Sequence, residues 1–136
     1  MEVVTDRANV RLGWLKVMYV YTIVGAGSFG LGLLIAPGML KSLFGWPAGD
    51  PIPLGITGSV YVAFAILSVM GLRSPVKFVP VLLLQLFYKA IWFVGVILPL
   101  LISGQFPMYA TLYVIIFATY IIGDIIAIPF SLLFAK

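Results

Sequence analysis

Long apolar runs separated by short polar or proline-rich breaks dominate this chain. Four runs stand out, at about 12–36, 54–72, 78–102 and 108–134. Each is close to or above the roughly 20 residues that a helix needs to cross the hydrocarbon core of a bilayer. None alternates between apolar and polar positions as a barrel strand does, so the expected spanning elements are helices. The break at 37–53 is the longest. Its prolines at 37, 47, 51 and 53 and its glycines at 38, 45 and 49 forbid a spanning helix there. Met39, Leu40, Leu43 and Phe44 could form one amphipathic turn in the interface, with Trp46 at headgroup level. The segment therefore reads as an interfacial anchor, with a lid over a cavity as the other reading. The pattern predicts a single all-α domain over 1–136, an integral membrane four-helix bundle with up-down topology.

The polar residues inside the runs are few, and they line up. Gln85, Tyr88, Lys89 and Trp92 follow i, i+3, i+4, i+7 spacing and share one face near the middle of the third run. Thr57, Tyr61, Phe64 and Ser68 mark one face of the second run, and Tyr113, Phe117, Tyr120 and Asp124 one face of the fourth. A lysine at the bilayer midplane is costly and needs a partner or a wet cavity. Counting from Gln105 in the turn between the last two runs, Lys89 lies 16 residues back (105 − 89) and Asp124 lies 19 forward (124 − 105). The difference corresponds to about 4.5 Å along a helix axis, within reach of a lysine side chain. The expectation is a buried Lys89–Asp124 pair. It would be either a device that fixes helix register or the centre of a ligand or proton site. Gln85, Tyr88, Trp92, Tyr61, Thr57, Tyr113 and Tyr120 are the candidate lining of such a site.

Composition narrows the chemistry. Of the 136 residues, 63% are hydrophobic and 9% charged, where a soluble domain carries about 25% charged residues. With no cysteine and no histidine, thiol redox chemistry, disulfides, histidine-ligated haem and ordinary zinc sites fall away. The acids are Glu2, Asp6, Asp50 and Asp124, too scattered for a hard-metal cluster. The sequence thus assigns neither a catalytic residue nor a metal ligand. The eight basic residues form no stripe, so nucleic acid is not an expected partner. The first run is too long for a signal-peptide core and lacks a cleavage site, so it is expected to stay as a helix. Ser28, Gly32 and Ala36, four apart, are expected to form a close-packing face.

Several features resemble the DoxX-like group of small bacterial four-helix membrane proteins. They are the glycines of the first run (Gly25, Gly27, Gly30, Gly32), the Pro-x-x-Leu…Phe-Gly pattern from Pro37 to Gly45, and Gly55 and Gly58 at the start of the second run. The resemblance implies a bacterial inner-membrane protein. Some relatives in that group are linked to quinone-coupled oxidation as membrane subunits. It supplies no catalytic residue that can be matched by motif. Other four-helix families fit less well. Small multidrug exporters carry a glutamate in the first helix, the vitamin K epoxide reductase family needs Cys-x-x-Cys, and glutathione-handling membrane enzymes need an acid and an Asn-Arg set in the second helix. Sterol isomerase-like proteins carry several intramembrane acids.

Three functions are in view. The leading one is binding of a lipophilic small molecule, a quinone or a lipid, within the bundle. The second is a structural or assembly role in a homo-oligomer or larger membrane complex. The third is a proton-coupled transporter that uses the Lys–Asp pair. No cofactor is identifiable from the residues themselves.

Loop charges predict the orientation. Arg7, Arg11, Lys16, Arg73, Lys77 and Lys136 fall on the side of the termini, and only Lys41 falls on the other. The positive-inside rule then places both termini in the cytoplasm. A fluorescent reporter fused after residue 136 should therefore light up in the cytoplasm, and alkaline phosphatase inserted within 46–50 should be active. The reverse pattern would invert the topology.

Overall fold

The computed structural model describes residues 10–47 and 49–135. The basic lead through residue 9, with Arg7, and Lys136 lie outside the described residues. Among the described residues the structure is helical and has no strand. The elements are α1 (Leu12–Ile35), α2 (Pro37–Phe44), α3 (Pro51–Arg73), α4 (Val79–Ile102), α5 (Ala110–Ala127) and α6 (Phe130–Leu133). Four of them, α1, α3, α4 and α5, are long and apolar enough to cross a membrane. Only 22–33% of their most apolar stretches is buried inside the protein. Side chains such as Val24, Ile91 and Val94 point outward, each about two-thirds exposed. An outer surface this apolar belongs in lipid.

The helix ends follow local chemistry, and three depart from expectation. Helix α3 starts at Pro51, three residues before the expected 54. The Asp50 carboxylate accepts a hydrogen bond from the Ile52 N–H at 2.9 Å and caps the first turn. Pro51 and Pro53 sit where a helix has no use for their missing N–H groups. The segment 37–53 holds two turns of helix, α2, rather than one. Pro37 opens it, and Gly45, in the left-handed region at φ 74°, closes it. The fourth run, whose end Pro129 is expected to kink, breaks fully at Ile128 and Pro129. Pro129 cannot donate into the α5 ladder, and α6 restarts after it. Within α4, Phe93–Ile97 is a π-helical turn in which the Leu98 N–H reaches back to the Phe93 carbonyl. Pro99 lies just beyond, and its ring displaces the carbonyl one turn earlier in the helix.

The tightest seam joins α1 to α3. A methyl group placed on Gly30 would lie 2.7 Å from the Gly58 carbonyl oxygen and 2.9 Å from Tyr61 Cβ. One placed on Gly71 would lie 2.7 Å from the Tyr19 ring, and one on Gly27 would lie 3.1 Å from Ala65 Cβ. Partners on α3 rise in number as those on α1 fall, so the two helices are antiparallel. Lipid gives helices no hydrophobic reason to associate, so close packing through small residues replaces it. The expected small-residue face at Ser28, Gly32 and Ala36 is used differently. Gly32 receives the Leu40 side chain of α2, so the face serves the chain's own connection.

The buried apolar core lies in the half of the bundle nearest the termini. It contains Leu15, Met18, Tyr19, Val79, Leu82, Leu86, Tyr120, Ala127 and Ile128. The Tyr19 hydroxyl donates to the Pro75 carbonyl at 2.6 Å and ties α1 to the α3–α4 turn. The Arg11 guanidinium donates to the Ile126 carbonyl at 3.2 Å near the end of α5.

Adding one carbon at the seam should be costly. Overpacking a tight contact costs about 1–3 kcal/mol. Gly30→Ala should lower the melting temperature in detergent clearly. Gly55→Ala, with open space around the added carbon, should leave it nearly unchanged. Equal effects at the two positions would remove the seam as the organising contact.

Candidate functional site

The terminus-distal half of the bundle is hollow where the other half is filled. An inner cavity of about 400 Å³ reaches down to Lys89. Its walls are mainly aromatic, from Tyr21, Phe29, Phe44, Tyr61, Tyr113 and Phe117, and α2 adds Leu40. An outer compartment of about 710 Å³ lies toward the loops, between Trp46, Thr57, Trp92 and Tyr109. Phe29, Tyr61, Tyr88, Tyr113 and Phe117 line both, so the two spaces lie on either side of one aromatic wall. Phe29 is the hub of that wall. Its ring meets Phe44, Trp46, Tyr61 and Tyr113 at centroid distances of 5.3–6.0 Å. At the inner cavity's outer edge Ser28 of α1 is exposed and Ile116 of α5 half-buried, which places a mouth between those two helices.

Lys89 is fully buried, at 1% exposure. Its ammonium donates to the Tyr88 hydroxyl at 2.8 Å. Three ring faces surround it, Tyr88 at 4.2 Å, Tyr120 at 4.5 Å and Phe117 at 4.9 Å. Each such contact contributes about 0.5–2 kcal/mol, the upper end holding where water is excluded. Tyr120 is itself fixed: its hydroxyl donates to the Tyr21 carbonyl at 2.9 Å, and its ring stacks on Tyr21 at 4.0 Å. Gly25 gives the Tyr120 hydroxyl its space.

Just below the cavity floor lies a layer of buried polar side chains, one from each spanning helix. Thr22 lies between the Tyr19–Gly71 and Gly27–Ala65 contacts on α1, and Ser68 between the same contacts on α3. Gln85 of α4 bonds Thr22 twice, at 3.2 and 3.3 Å. Asp124 of α5 follows Gly123, which packs against Met18 one turn from Thr22. The hydroxyl of Ser68 and both carboxylate oxygens of Asp124 have no hydrogen-bond partner among the described residues.

This geometry corrects one expectation. Lys89 and Asp124 are both buried, yet they do not meet as a hydrogen-bonded pair. The register count allowed contact, but the rings of Tyr88, Phe117 and Tyr120 hold the ammonium on the cavity side. Tyr120, one turn before Asp124, meets the ammonium with its ring at 4.5 Å. The Lys89 ammonium bonds the Tyr88 hydroxyl instead, and both Asp124 oxygens are left without a partner among the described residues.

The other candidate residues divide into three groups. Tyr61, Tyr88, Tyr113 and Tyr120 line the inner cavity with Lys89. Trp92 and Thr57 line only the outer compartment; Trp92 meets Phe117 at 4.8 Å, and the Thr57 hydroxyl is taken by the Pro53 carbonyl. Gln85 and Asp124 belong to the polar layer beneath. Sequence reasoning missed Phe29, Tyr21, Leu40 and Phe44 as lining residues. Nothing in the spacing of polar residues marks an aromatic or leucine that turns inward from a glycine-rich helix or an interfacial turn. Among the described residues no group of acids could hold a metal ion.

Searches of family models, curated proteins and solved structures find no match to this chain.

The charges should still be coupled, because a lone charge in a buried site costs about 3–5 kcal/mol while removing both is often neutral. Lys89→Met and Asp124→Leu should each lower thermal stability in detergent, and the double substitution should recover much of the loss. Additive losses would show two independent sites.

Proposed function

We propose that this protein binds a lipophilic small molecule, a quinone or a lipid, in the cavity above Lys89. The observation that carries this reading is an aromatic cavity at mid-bundle with a buried ammonium at its floor. Apolar pockets with a few convergent polar groups are the usual form of small-molecule sites. A buried lysine donor facing a cavity gives a ligand an orientation as well as a surface. The mouth between α1 and α5 faces the outside of the bundle, so a lipophile can enter from the bilayer without crossing water. The resemblance to the DoxX-like group agrees with this reading, and with a bacterial inner-membrane protein whose termini lie in the cytoplasm. An assembly role loses one support, since the small-residue face at Gly32 is occupied by Leu40.

Mass spectrometry of organic extracts from the purified protein tests the proposal. Wild-type protein should retain a lipophile in roughly stoichiometric amount. Ser28→Phe, at the exposed mouth, should reduce it strongly without loss of thermal stability. Equal lipophile content in both proteins, at the level of the surrounding detergent and lipid, would sink the reading.

A further inference from the structure

The charge balance around the cavity restricts what it can hold. Lys89 and Asp124 are the charged residues among the buried polar side chains, and together they sum to zero; Thr22, Ser68 and Gln85 are uncharged. An anionic ligand would leave one surplus negative charge in the interior, and a cationic one a surplus positive charge beside Lys89. Either is costly in a medium without water. The hydrogen-bonding inventory restricts it further. A lysine ammonium has three donors and no acceptor. One donor is used by Tyr88, and the aromatic faces satisfy the charge without supplying an acceptor atom. A ligand at the floor must therefore bring an acceptor. A carbonyl oxygen supplies one, and so does a hydroxyl oxygen, whose proton a tyrosine hydroxyl of the wall can accept. Asp124, whose oxygens have no partner, does not line the cavity.

We infer that the occupant of the Lys89 cavity is an uncharged lipophile that presents an acceptor oxygen, of a carbonyl or a hydroxyl, to the ammonium, and not an anionic amphiphile such as a fatty acid. This rests on the ligand-binding reading above and deepens it. The acceptor oxygen takes a free Lys89 N–H, and the surrounding rings pack against the group that bears it. The rest of the ligand extends toward the mouth at Ser28.

Four chain-matched probes separate the outcomes: 2-heptadecanone, heptadecanol, heptadecanoate and heptadecane. Each is titrated into the purified full chain in detergent, with thermal unfolding as the readout. The ketone and the alcohol should bind about tenfold more tightly than the alkane and the carboxylate, as a charge-assisted hydrogen bond to an uncharged acceptor predicts. In the Lys89→Met/Asp124→Leu protein, which keeps an apolar cavity without the donor, the ketone should fall to the level of the alkane. A second measurement locates the carbonyl. With hexadecanal and cyanoborohydride at alkaline pH, the lysine gives up a proton to base, its amine bonds to the carbonyl carbon, water leaves, and hydride reduces the protonated imine to a stable alkylamine. Peptide mass spectrometry should find the alkyl group on Lys89. Heptadecanoate or heptadecane binding as tightly as the ketone would overturn the inference, as would alkylation confined to Lys16, Lys41, Lys77 and Lys136. A loss of every effect, with all four probes inert and Lys89 unmodified, would remove the ligand reading itself.

Discussion

The contact of α1 with α3 at Gly30 and Gly58 is the constraint on which the rest of the bundle depends. In lipid, apolar side chains gain little by leaving the solvent, so helices hold together where their backbones come close. Here only one pair of spanning helices does so along most of its length. Helices α4 and α5 carry Trp92, Tyr113 and Phe117 on the faces that look inward over the outer half. Bulky rings meeting edge to face keep axes apart and leave space between them. The hollow outer half follows from the contrast between a glycine seam on one side and an aromatic face on the other. Nearer the termini, Leu15, Met18, Leu82 and Leu86 fill the same interior, and the bundle closes.

The position of Lys89 follows from this division. It stands where the filled half meets the hollow half, so its ammonium has a cavity on one side and packed side chains on the other. A bare charge there would be costly. Three rings and the Tyr88 hydroxyl offset part of that cost without a direct carboxylate contact. Asp124 carries the compensating charge one layer deeper, with neither oxygen hydrogen-bonded to the described protein groups. An unpartnered buried polar group costs about 1–3 kcal/mol, and more if charged. Such an arrangement is poorly explained as a stabilising ion pair. It is better understood as a charge-balanced floor whose donor remains free to meet something in the cavity.

Much of this was legible in the sequence. Run length and composition led to four spanning helices because hydropathy over about 20 residues is a strong signal. The spacing of Gln85, Tyr88, Lys89 and Trp92, and of Tyr113, Phe117, Tyr120 and Asp124, correctly gave inward faces, since helical period depends only on residue count. The contact between Lys89 and Asp124 was not legible. Axial register says how far apart two residues lie along a hairpin, but not which side chains, here the rings of Tyr88, Phe117 and Tyr120, the lysine meets instead. The early start of α3 was hidden by prolines that break a helix interior yet fit a first turn capped by Asp50. Helix α2 was underestimated because its job is tertiary: Leu40 fills the notch at Gly32, and Phe44 stacks into the aromatic wall.

The same architecture weighs on the choice between binding and transport. A carrier must offer its site to each side of the membrane in turn. Here the cavity and the outer compartment lie in one half only. The way onward to the side of the termini is closed by the core around Leu15, Met18, Tyr19, Leu82 and Leu86. It is further tied by the bonds Tyr19–Pro75, Thr22–Gln85 and Tyr120–Tyr21. The Thr22–Gln85 bond lies in the bundle interior, where no water stands ready to replace it if it is broken. Opening that way would also part α1 from α3 near Gly71, where the Tyr19 ring leaves no room to slide. A route from the bilayer through the mouth at Ser28 needs none of this. That difference in cost weighs for the proposed binding reading over transport.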